Sequence, residues 1–415
     1  MSTFTRIILF VLIFEKCNCE CAQTYMTVCD KVEDIFERNV CRDAKATICT
    51  DLLVKSEAPR ELVQLDLKGL YGSLCRYDLK NLIIVGQFIA DTISTDCANV
   101  CLFDLENLSF YNNIIKEVTR ISFPATNGLR KLSLVRNSIE IVYPSSFSLL
   151  HVKNIDLSHN NINAIEEGTF NYSSLLVITL KHNKLTFIHS GSFGVNLELL
   201  DLSYNNLATI KEQVFANTEN IRELILSHNQ LREVPNISTM KNLQALALSN
   251  NEIRTIQVAT FANLQDLRLI DLSHNKLVTA TPVLNLFVNK VYMWAISLAF
   301  NNLKNIEDSV FRNVTTGYLM LFGNPWMCNQ WMRVEKLLII HGIKRVSCDF
   351  SLFGCGSLPH CISDFVKDSE VKSATQHFLD AVSRKHDLLS ECYIDIHSEL
   401  YDLLHPYGFD YMCLD

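Results

Sequence analysis

Residues 197–207 read LELLDLSYNNL, and the same frame recurs along most of the chain. Apolar residues stand eight, five and three positions before an asparagine and two positions after it, here Leu197, Leu200, Leu202 and Leu207 around Asn205. The asparagine recurs at intervals of 22 to 26 residues, and an interval of this length indicates stacked structural repeats. The asparagines are Asn113, Asn137, Asn160, Asn183, Asn205, Asn229, Asn251, Asn275, Asn301 and Asn324.

The spacing within the frame predicts the structure of one repeat. Apolar residues two apart make a short strand with one face inward, and strands of neighbouring repeats then lie in parallel. An asparagine side chain both donates and accepts hydrogen bonds, so we expect the asparagines to form a ladder where the chain leaves the strand. A phenylalanine ten residues after the asparagine is expected to fill the outer, convex side: Phe123, Phe147, Phe170, Phe193, Phe215, Phe261 and Phe311.

The frame L-x-x-L-x-L-x-x-N-x-L resembles the leucine-rich repeat over residues 61–327. The resemblance implies an α/β solenoid, a horseshoe of about 12 rungs with parallel strands on its concave face. Two degenerate rungs come first, one around Leu82 and a looser one around Leu65. The repeat after Asn229 departs from the phenylalanine pattern, and the longer repeat after Asn275 also lacks its phenylalanine, so we expect the curvature to change there.

Composition bounds the class of protein. Apolar residues make up 48% and charged residues 20% of the 415 residues, which is typical of a globular chain. Glycine and proline are too rare for collagen-like or low-complexity sequence. The net charge of −8 argues against nucleic acid as the main partner, because phosphate binding requires clustered positive charge.

The first residues have the pattern of a targeting signal. Arg6 precedes a short apolar run from residue 7 to residue 14, which is the order of a secretory signal peptide. We therefore predict a signal peptide at 1–19 and a secreted, extracellular protein; a buried N-terminal strand is the alternative. The run is too short to span a bilayer, and we expect no membrane span.

Fifteen cysteines lie toward the two ends of the chain, with none between Cys101 and Cys328. This usage favours an oxidising compartment. Residues 20–60 resemble a cysteine-rich N-terminal cap with Cys29, Cys41 and Cys49. The Cys97–Cys101 pair suits a local disulfide better than half a zinc site.

Residues 328–365 look like a leucine-rich repeat C-terminal cap. The segment begins NPWMC, a helix is predicted from Trp331 to Ile340, and the usual C-x-C is absent after Cys328. Spacing does not fix disulfide connectivity. We expect pairing of Cys328 with Cys348 and of Cys355 with Cys361.

The tail, residues 366–415, differs in character. Apolar residues recur every three or four positions, which predicts an amphipathic helix. The helix either folds back on its own cap or pairs with another chain as a short coiled coil. Cys392 and Cys413 are candidates for an intermolecular disulfide, or they bond each other.

Catalytic motifs are absent from the sequence, and we predict neither an enzyme nor a cofactor. Histidines stand before several of the asparagines, and His159 and His182 in adjacent repeats are within reach of a shared metal ion. A common residue choice at the strand exit is the simpler interpretation, so we predict no metal site. Asp156, Asp201 and Asp271 lie in non-adjacent repeats, too far apart for a two-carboxylate mechanism.

Binding is better supported than catalysis. Positions six, four, two and one before the asparagine are expected to face the concave side, where late repeats turn apolar. We predict partner binding at Leu269, Phe300, Tyr318, Met320 and Phe322, with coverage by the tail as the alternative. Sequons predict glycosylation at four asparagines, of which the first is expected on the concave face: Asn107, Asn171, Asn236 and Asn313.

The whole layout resembles the secreted leucine-rich immune molecules of mosquitoes. That resemblance implies a pattern-recognition or complement-like factor of innate immunity, working as a disulfide-linked complex with a second leucine-rich repeat chain through the tail. The short tail and the lack of an adjacent double-cysteine motif depart from it, which puts the covalent dimer in question. The competing class is an adhesion or developmental signalling protein that binds a receptor ectodomain.

Overall fold

The computed structural model describes residues 9–14, 51–56, 81–85, 90–92, 105–119, 128–148, 150–172, 174–257, 259–289, 293, 295–313 and 318–345. The chain divides into two compact units, unit 1 (residues 1–270) and unit 2 (residues 271–415).

Strands dominate the described part of the chain, and most are only two to six residues long. In chain order they are β1 (Leu9–Phe14), β2 (Asp51–Ser56), β3 (Asn81–Val85), β4 (Ala90–Thr92), β5 (Asn107–Tyr111), β6 (Ile114–Val118), β7 (Lys131–Ser133), β8 (Ile141–Val142), β9 (Asn154–Asp156), β10 (Ala164–Ile165), β11 (Val177–Thr179), β12 (Phe187–Ile188), β13 (Leu199–Asp201), β14 (Glu223–Ile225), β15 (Ala245–Ala247), β16 (Leu269–Asp271), β17 (Ala295–Ser297), β18 (Tyr318–Met320) and β19 (Lys344–Arg345).

Unit 1 contains a sheet with one strand from each successive repeat, in the order β1–β2–β3–β5–β7–β9–β11–β13–β14–β15. From β2 onward the pairing is parallel and in register, so that residues at one frame position lie side by side. This is the parallel-strand solenoid that the spacing predicts. Shorter strands on a second side form the groups β4–β6–β8 and β10–β12.

The apolar stretch near the N-terminus forms β1, which pairs antiparallel with β2. A buried strand is the alternative to a signal peptide. The strand is present, while its burial and signal cleavage both remain predictions. The loosest expected rung, around Leu65, lies outside the described residues, whereas the degenerate rung around Leu82 supplies β3.

The asparagine ladder is confirmed. All ten frame asparagines are at most 8% exposed. The Asn205 side-chain amide donates to the carbonyl oxygens of Leu180 and Leu202, each at 3.0 Å, and its Oδ1 accepts the Leu185 N–H at 2.9 Å. Because Leu180 and Leu185 belong to the preceding repeat, each such asparagine joins two repeats while satisfying buried backbone groups.

Phenylalanines fill the outer side of the repeats, as expected from their constant offset. Phe147, Phe170 and Phe193 stack with ring centroids 5.8 and 6.2 Å apart. Each of the described members of the set is at most 1% exposed, while Phe123 lies outside the described residues. In the repeat after Asn229, Ile237 and Met240 are buried where the phenylalanine is missing.

Unit 2 contains β17, β18 and β19 in parallel, together with helices. The long repeat after Asn275 holds helix α1 (Thr281–Asn289), so its extra residues form a helix instead of the usual phenylalanine packing. Helix α2 (Cys328–Ile340) begins at the cap cysteine, and Cys328 is disulfide-bonded. Short 3-10 helices occur at Glu212–Phe215 in unit 1 and at Asp308–Asn313 in unit 2.

Several sequence predictions fall outside the described residues and stay predictions. They concern the N-terminal cap, the Cys97–Cys101 pair, the partner of Cys328, and the tail with Cys392 and Cys413. Within the described segments, no helix combines the length and the apolar character that crossing a membrane requires.

Candidate functional site on the strand face

The strand face is the side of each short strand that points away from the buried leucines. In the Asn229 repeat, Leu224 and Leu226 are fully buried in the core. Since side chains alternate along a strand, Glu223 and Ile225 lie on the opposite side. The strand face therefore comprises the positions six, four, two and one before each asparagine.

The last of these positions has an unusual backbone. The residue directly before the asparagine has a positive φ in all ten repeats, between 52° and 57° for the nine that are not glycine. The left-handed conformation is uncommon for residues with a side chain, and here it repeats at one frame position. It places these side chains one above another: Asn112, Arg136, His159, His182, Tyr204, His228, Asn250, His274, Phe300 and Gly323.

In unit 1 this position forms a ring column, defined as His159, His182, Tyr204 and His228. Successive ring centroids are 4.3, 4.1 and 4.0 Å apart, and the planes are 10° to 24° from parallel. Tyr204 is 39% exposed, and the Lys181 ammonium lies 5.4 Å from the centroid of its ring. The column is thus a stack of nearly parallel rings whose polar atoms lie at the ring edges.

The surroundings of the stacked rings also change the pKa values of the histidines. Partial burial and the neighbouring His159, Lys181 and His228 lower the pKa of His182 to about 4, and burial is the first cause that lowers the pKa of His159. Stacked rings present their faces to each other, whereas metal ligation uses the in-plane nitrogen lone pair. Among the described residues no group of three or more potential ligands is placed to hold a metal ion.

Acidic side chains lie on the strand face beside the column. Asp156 and Asp201 are each 9% exposed, and β11 lies between their strands. Burial raises the pKa of both carboxyls, while hydrogen bonds from Ser158 and Ser203 partly oppose it. With a whole repeat between them, these two acids do not form a catalytic pair.

Glu223 has a different environment. It is 7% exposed, and its register partners on the neighbouring strands are Leu199 and Ala245. Its Oε2 atom is buried and has no hydrogen-bond partner. Burial raises the pKa of this carboxyl to about 7. Among the described strand-face side chains of unit 1, Glu223 is the one with a buried oxygen atom that has no hydrogen-bond partner.

In unit 2 the same frame position is more apolar. His274 and Phe300 stack at 4.2 Å between centroids, and Phe322 meets Phe300 edge-on at 5.3 Å. A Cβ atom at Gly323 would lie 2.3 Å from the Phe300 ring. Glycine at this position is therefore what allows the Phe300 ring to lie flat against the next repeat.

The expected apolar patch is only partly exposed. Leu269, Phe300 and Met320 are 8%, 9% and 4% exposed, so they are buried rather than open to solvent. Tyr318 and Phe322 keep intermediate exposure. The frame assigns a side chain to the strand face, but it does not reveal how far neighbouring side chains shield it. For the three buried residues the expectation of an exposed patch is therefore wrong, and a binding role for all five remains a proposal.

The described sequon asparagines take the expected sides. Asn107 begins β5 at a strand-face position, opposite the buried Leu108. Asn171 and Asn236 are exposed and lie away from the strands of the inner sheet. The Ser238 hydroxyl donates to the Asn236 Oδ1 at 2.7 Å. Glycosylation at these sites, and at Asn313, stays a prediction.

Two features of the face were not anticipated from the sequence. Tyr204 occupies the histidine position, so comparing that frame position across repeats would have predicted the continuous column. At the frame position of Glu223, six residues before the asparagine, nearby repeats have apolar residues: Val177, Leu199 and Ala245. An acidic residue among apolar residues at one frame position could have identified Glu223 from the sequence.

Comparison with known families and structures agrees with this architecture. The leucine rich repeat family matches residues 150–194, 194–231 and 237–283. No curated protein sequence matches the chain.

Solved structures of the same fold are similar over much of the chain. The leucine-rich repeat domain of APL1B aligns with a TM-score of 0.50 and 20% identity, covering 73% of this chain and 85% of that one. A chain of the octameric complex of latrophilin 3, Unc5D and the leucine-rich repeats of FLRT2 aligns with a TM-score of 0.50 and 19% identity, covering 71% and 89%.

A chain of the Drosophila Toll–Spatzle complex has a TM-score of 0.47 and 18% identity, covering 66% of this chain. The match spans 48% of that chain, or about half its length.

Repeats, asparagine ladder and structural likeness together define a leucine-rich repeat solenoid. Proteins of this class are typically scaffolds that bind other proteins and are not enzymes. The strand face is thus a candidate site for a protein partner, and the ring column and Glu223 are its most distinctive described features.

Proposed function

We propose that the chain is a secreted recognition protein that binds other proteins through its strand face and acts in innate immunity as a pattern-recognition or complement-like factor. The observation that carries the binding role is the ring column. Its rigid, partly exposed rings offer amphipathic contact area with little conformational entropy to lose, and tyrosine is common at interface hot spots.

The immune role depends on the resemblance of the sequence layout to the mosquito secreted leucine-rich immune molecules. The leucine-rich repeat domain of APL1 is a structural neighbour at 21% identity, and this likeness carries the fold alone. In this proposal the tail pairs the chain with a second leucine-rich repeat chain, and Cys392 or Cys413 makes the covalent link.

The test is the mass of the secreted full chain on a denaturing gel, with and without reductant, beside Cys392→Ser and Cys413→Ser. We expect a doubled mass without reductant that disappears in one of the variants. A single monomer band in every lane would rule out the covalent complex.

A second candidate is an adhesion or developmental signalling protein that binds a receptor ectodomain, favoured by the partly exposed Tyr318 and Phe322 on the strand face of unit 2. For this role we expect the labelled chain to bind cells and Phe322→Glu to reduce binding. The matched control is Val278→Glu, because Val278 is 59% exposed and lies outside the strand face. Equal loss in both variants would contradict a specific role for Phe322.

A further inference from the structure

The unsatisfied carboxyl of Glu223 is the starting point for a statement about partner chemistry. Its Oε2 atom is buried without a hydrogen-bond partner, and its register neighbours Leu199 and Ala245 have no polar side-chain atoms. A buried carboxylate without a partner is costly, and that cost falls when a cation or a hydrogen-bond donor reaches it.

The charged groups near Glu223 in the described part of the chain do not meet this need. The adjacent Arg222 is directed to Glu198, with 3.9 Å between its Nε and the Glu198 Oε2. Lys181 acts on Asp201, where its charge opposes the effect of burial. Burial is the cause that raises the pKa of Glu223.

On the side of the Asn251 repeat, small side chains lie next to Glu223. In the Asn251 repeat the strand-face residues include Ala245, Ala247 and Ser249, which are the smallest consecutive set on the described face of unit 1. Ala245 and Ala247 keep intermediate exposure. A long, flexible side chain that crosses these alanines would arrive at the carboxyl while the rest of the partner contacts the ring column.

We propose that Glu223 receives a basic side chain, arginine or lysine, from a protein partner that lies across the strand face of unit 1. This inference rests on the proposed protein-binding function and names the chemistry of the partner. A charge-assisted hydrogen bond formed in so apolar a setting is strong and selective, because removing one member leaves the other charge buried and unpaired.

The probe is a random-sequence peptide library displayed on phage and selected against the immobilised full chain. We expect enriched peptides to share one basic position. Glu223→Gln is expected to weaken their binding about tenfold or more, whereas Glu219→Gln, which changes an exposed acid in the same repeat, leaves binding unchanged.

A double-mutant cycle makes the test specific. Replacing the shared arginine by citrulline, its neutral counterpart, is expected to weaken binding to the wild-type chain but to have little further effect on Glu223→Gln. Equal effects of citrulline on both proteins, or enriched peptides without a basic position, would overturn the inference.

The proposed function itself is checked by Tyr204→Ser. If the selected peptides lose affinity for Tyr204→Ser but not for Glu223→Gln, the strand face binds proteins and only the role of Glu223 fails. If neither variant changes binding, the strand-face proposal fails as well. Glu223→Gln removes a buried charge, so loss of folding does not confuse the result, and thermal unfolding of each variant documents this.

Discussion

At the residue scale, burial of the Glu223 carboxyl makes the stability of the folded chain depend on pH. Its carboxyl has an ordinary pKa of 4.5 and a pKa of about 7 in the folded chain, because it is buried between Leu199 and Ala245. Between these values the folded state holds a proton that the unfolded state has released. The free energy of unfolding therefore falls as pH rises through this window.

Glu223→Gln is expected to remove that loss. We expect the variant to exceed the wild type in free energy of unfolding by on the order of 1–3 kcal/mol near pH 8, and to approach it near pH 4, where both side chains are neutral. Urea unfolding at a series of pH values measures the difference. A difference that stays constant with pH would contradict burial of the charge as its cause.

Gly323 provides a second test at this scale, on the strand face of unit 2. A methyl group there meets the Phe300 ring at 2.3 Å, and φ is 69°. We expect Gly323→Ala to lower the free energy of unfolding by about 2–4 kcal/mol, from overpacking together with left-handed strain. Thermal or urea unfolding gives the value.

The matched control for this substitution is Gly168→Ala. Gly168 has a φ of 73°, but a Cβ atom at that position would have no neighbouring atom within 4 Å. Only backbone strain should therefore lower the free energy of unfolding of Gly168→Ala. In a Phe300→Ala background the additional cost of Gly323→Ala should fall to that of Gly168→Ala. A full cost in the double variant would mean that the ring contact is not the cause.

At the scale of the repeat, the asparagine ladder is the element that joins neighbours. Asn205→Ala would leave the buried Leu185 N–H without its partner. The two carbonyl oxygens that the Asn205 amide reaches keep their hydrogen bonds from the frame asparagines of the same and the next repeat. A buried unsatisfied group costs about 1–3 kcal/mol, so we expect a loss of about that size in the free energy of unfolding, measured by urea titration.

Asn206→Ala is the control, because Asn206 is the next residue and its side chain is exposed. Its backbone N–H bonds the Leu185 carbonyl at 2.9 Å and is unaffected by the substitution. We expect a change within about 0.5 kcal/mol. Similar losses at both positions would show that the ladder is not the source of the effect.

The same scale shows what sequence predicts and what it does not. Asn205 and Phe170 were assigned correctly, because each is set by a fixed offset within one repeat and by the short distance to the next. Burial of Phe300 and Met320 was missed, since it depends on contacts across repeats that the frame does not encode. Glu223 was missed for a related reason: a glutamate on a strand face is ordinary until its neighbours are known.

The repeats that depart from the frame also show what the sequence predicts and what it does not. The missing phenylalanine after Asn229 and the longer repeat after Asn275 were evident in sequence, but their replacements were not. Ile237 and Met240 fill the space in the repeat after Asn229, and helix α1 holds the extra residues of the repeat after Asn275. Different side chains fill one volume equally well, so an offset predicts that a space is filled without predicting by what.

At the scale of the whole molecule, the cysteines and the asparagine ladder occupy different parts of the sequence. No cysteine lies between Cys101 and Cys328, and across that interval the described repeats are held by parallel strands, buried leucines and bridging asparagines. A solenoid is stabilised by contacts between nearest neighbours, and its terminal repeats depend on their caps. Reduction of disulfides should therefore act from the ends.

Hydrogen exchange with and without reductant tests this division. Reductant is expected to leave amide protection unchanged across residues 150–257 and to lower it first in residues 105–119 and 318–343, which lie closest in sequence to the cysteines. Asn205→Ala serves as the internal reference, since it should lower protection in the middle without reductant. Uniform loss of protection on reduction would mean that the repeats unfold as one unit, and the ladder alone would then be too weak to hold the middle of the chain.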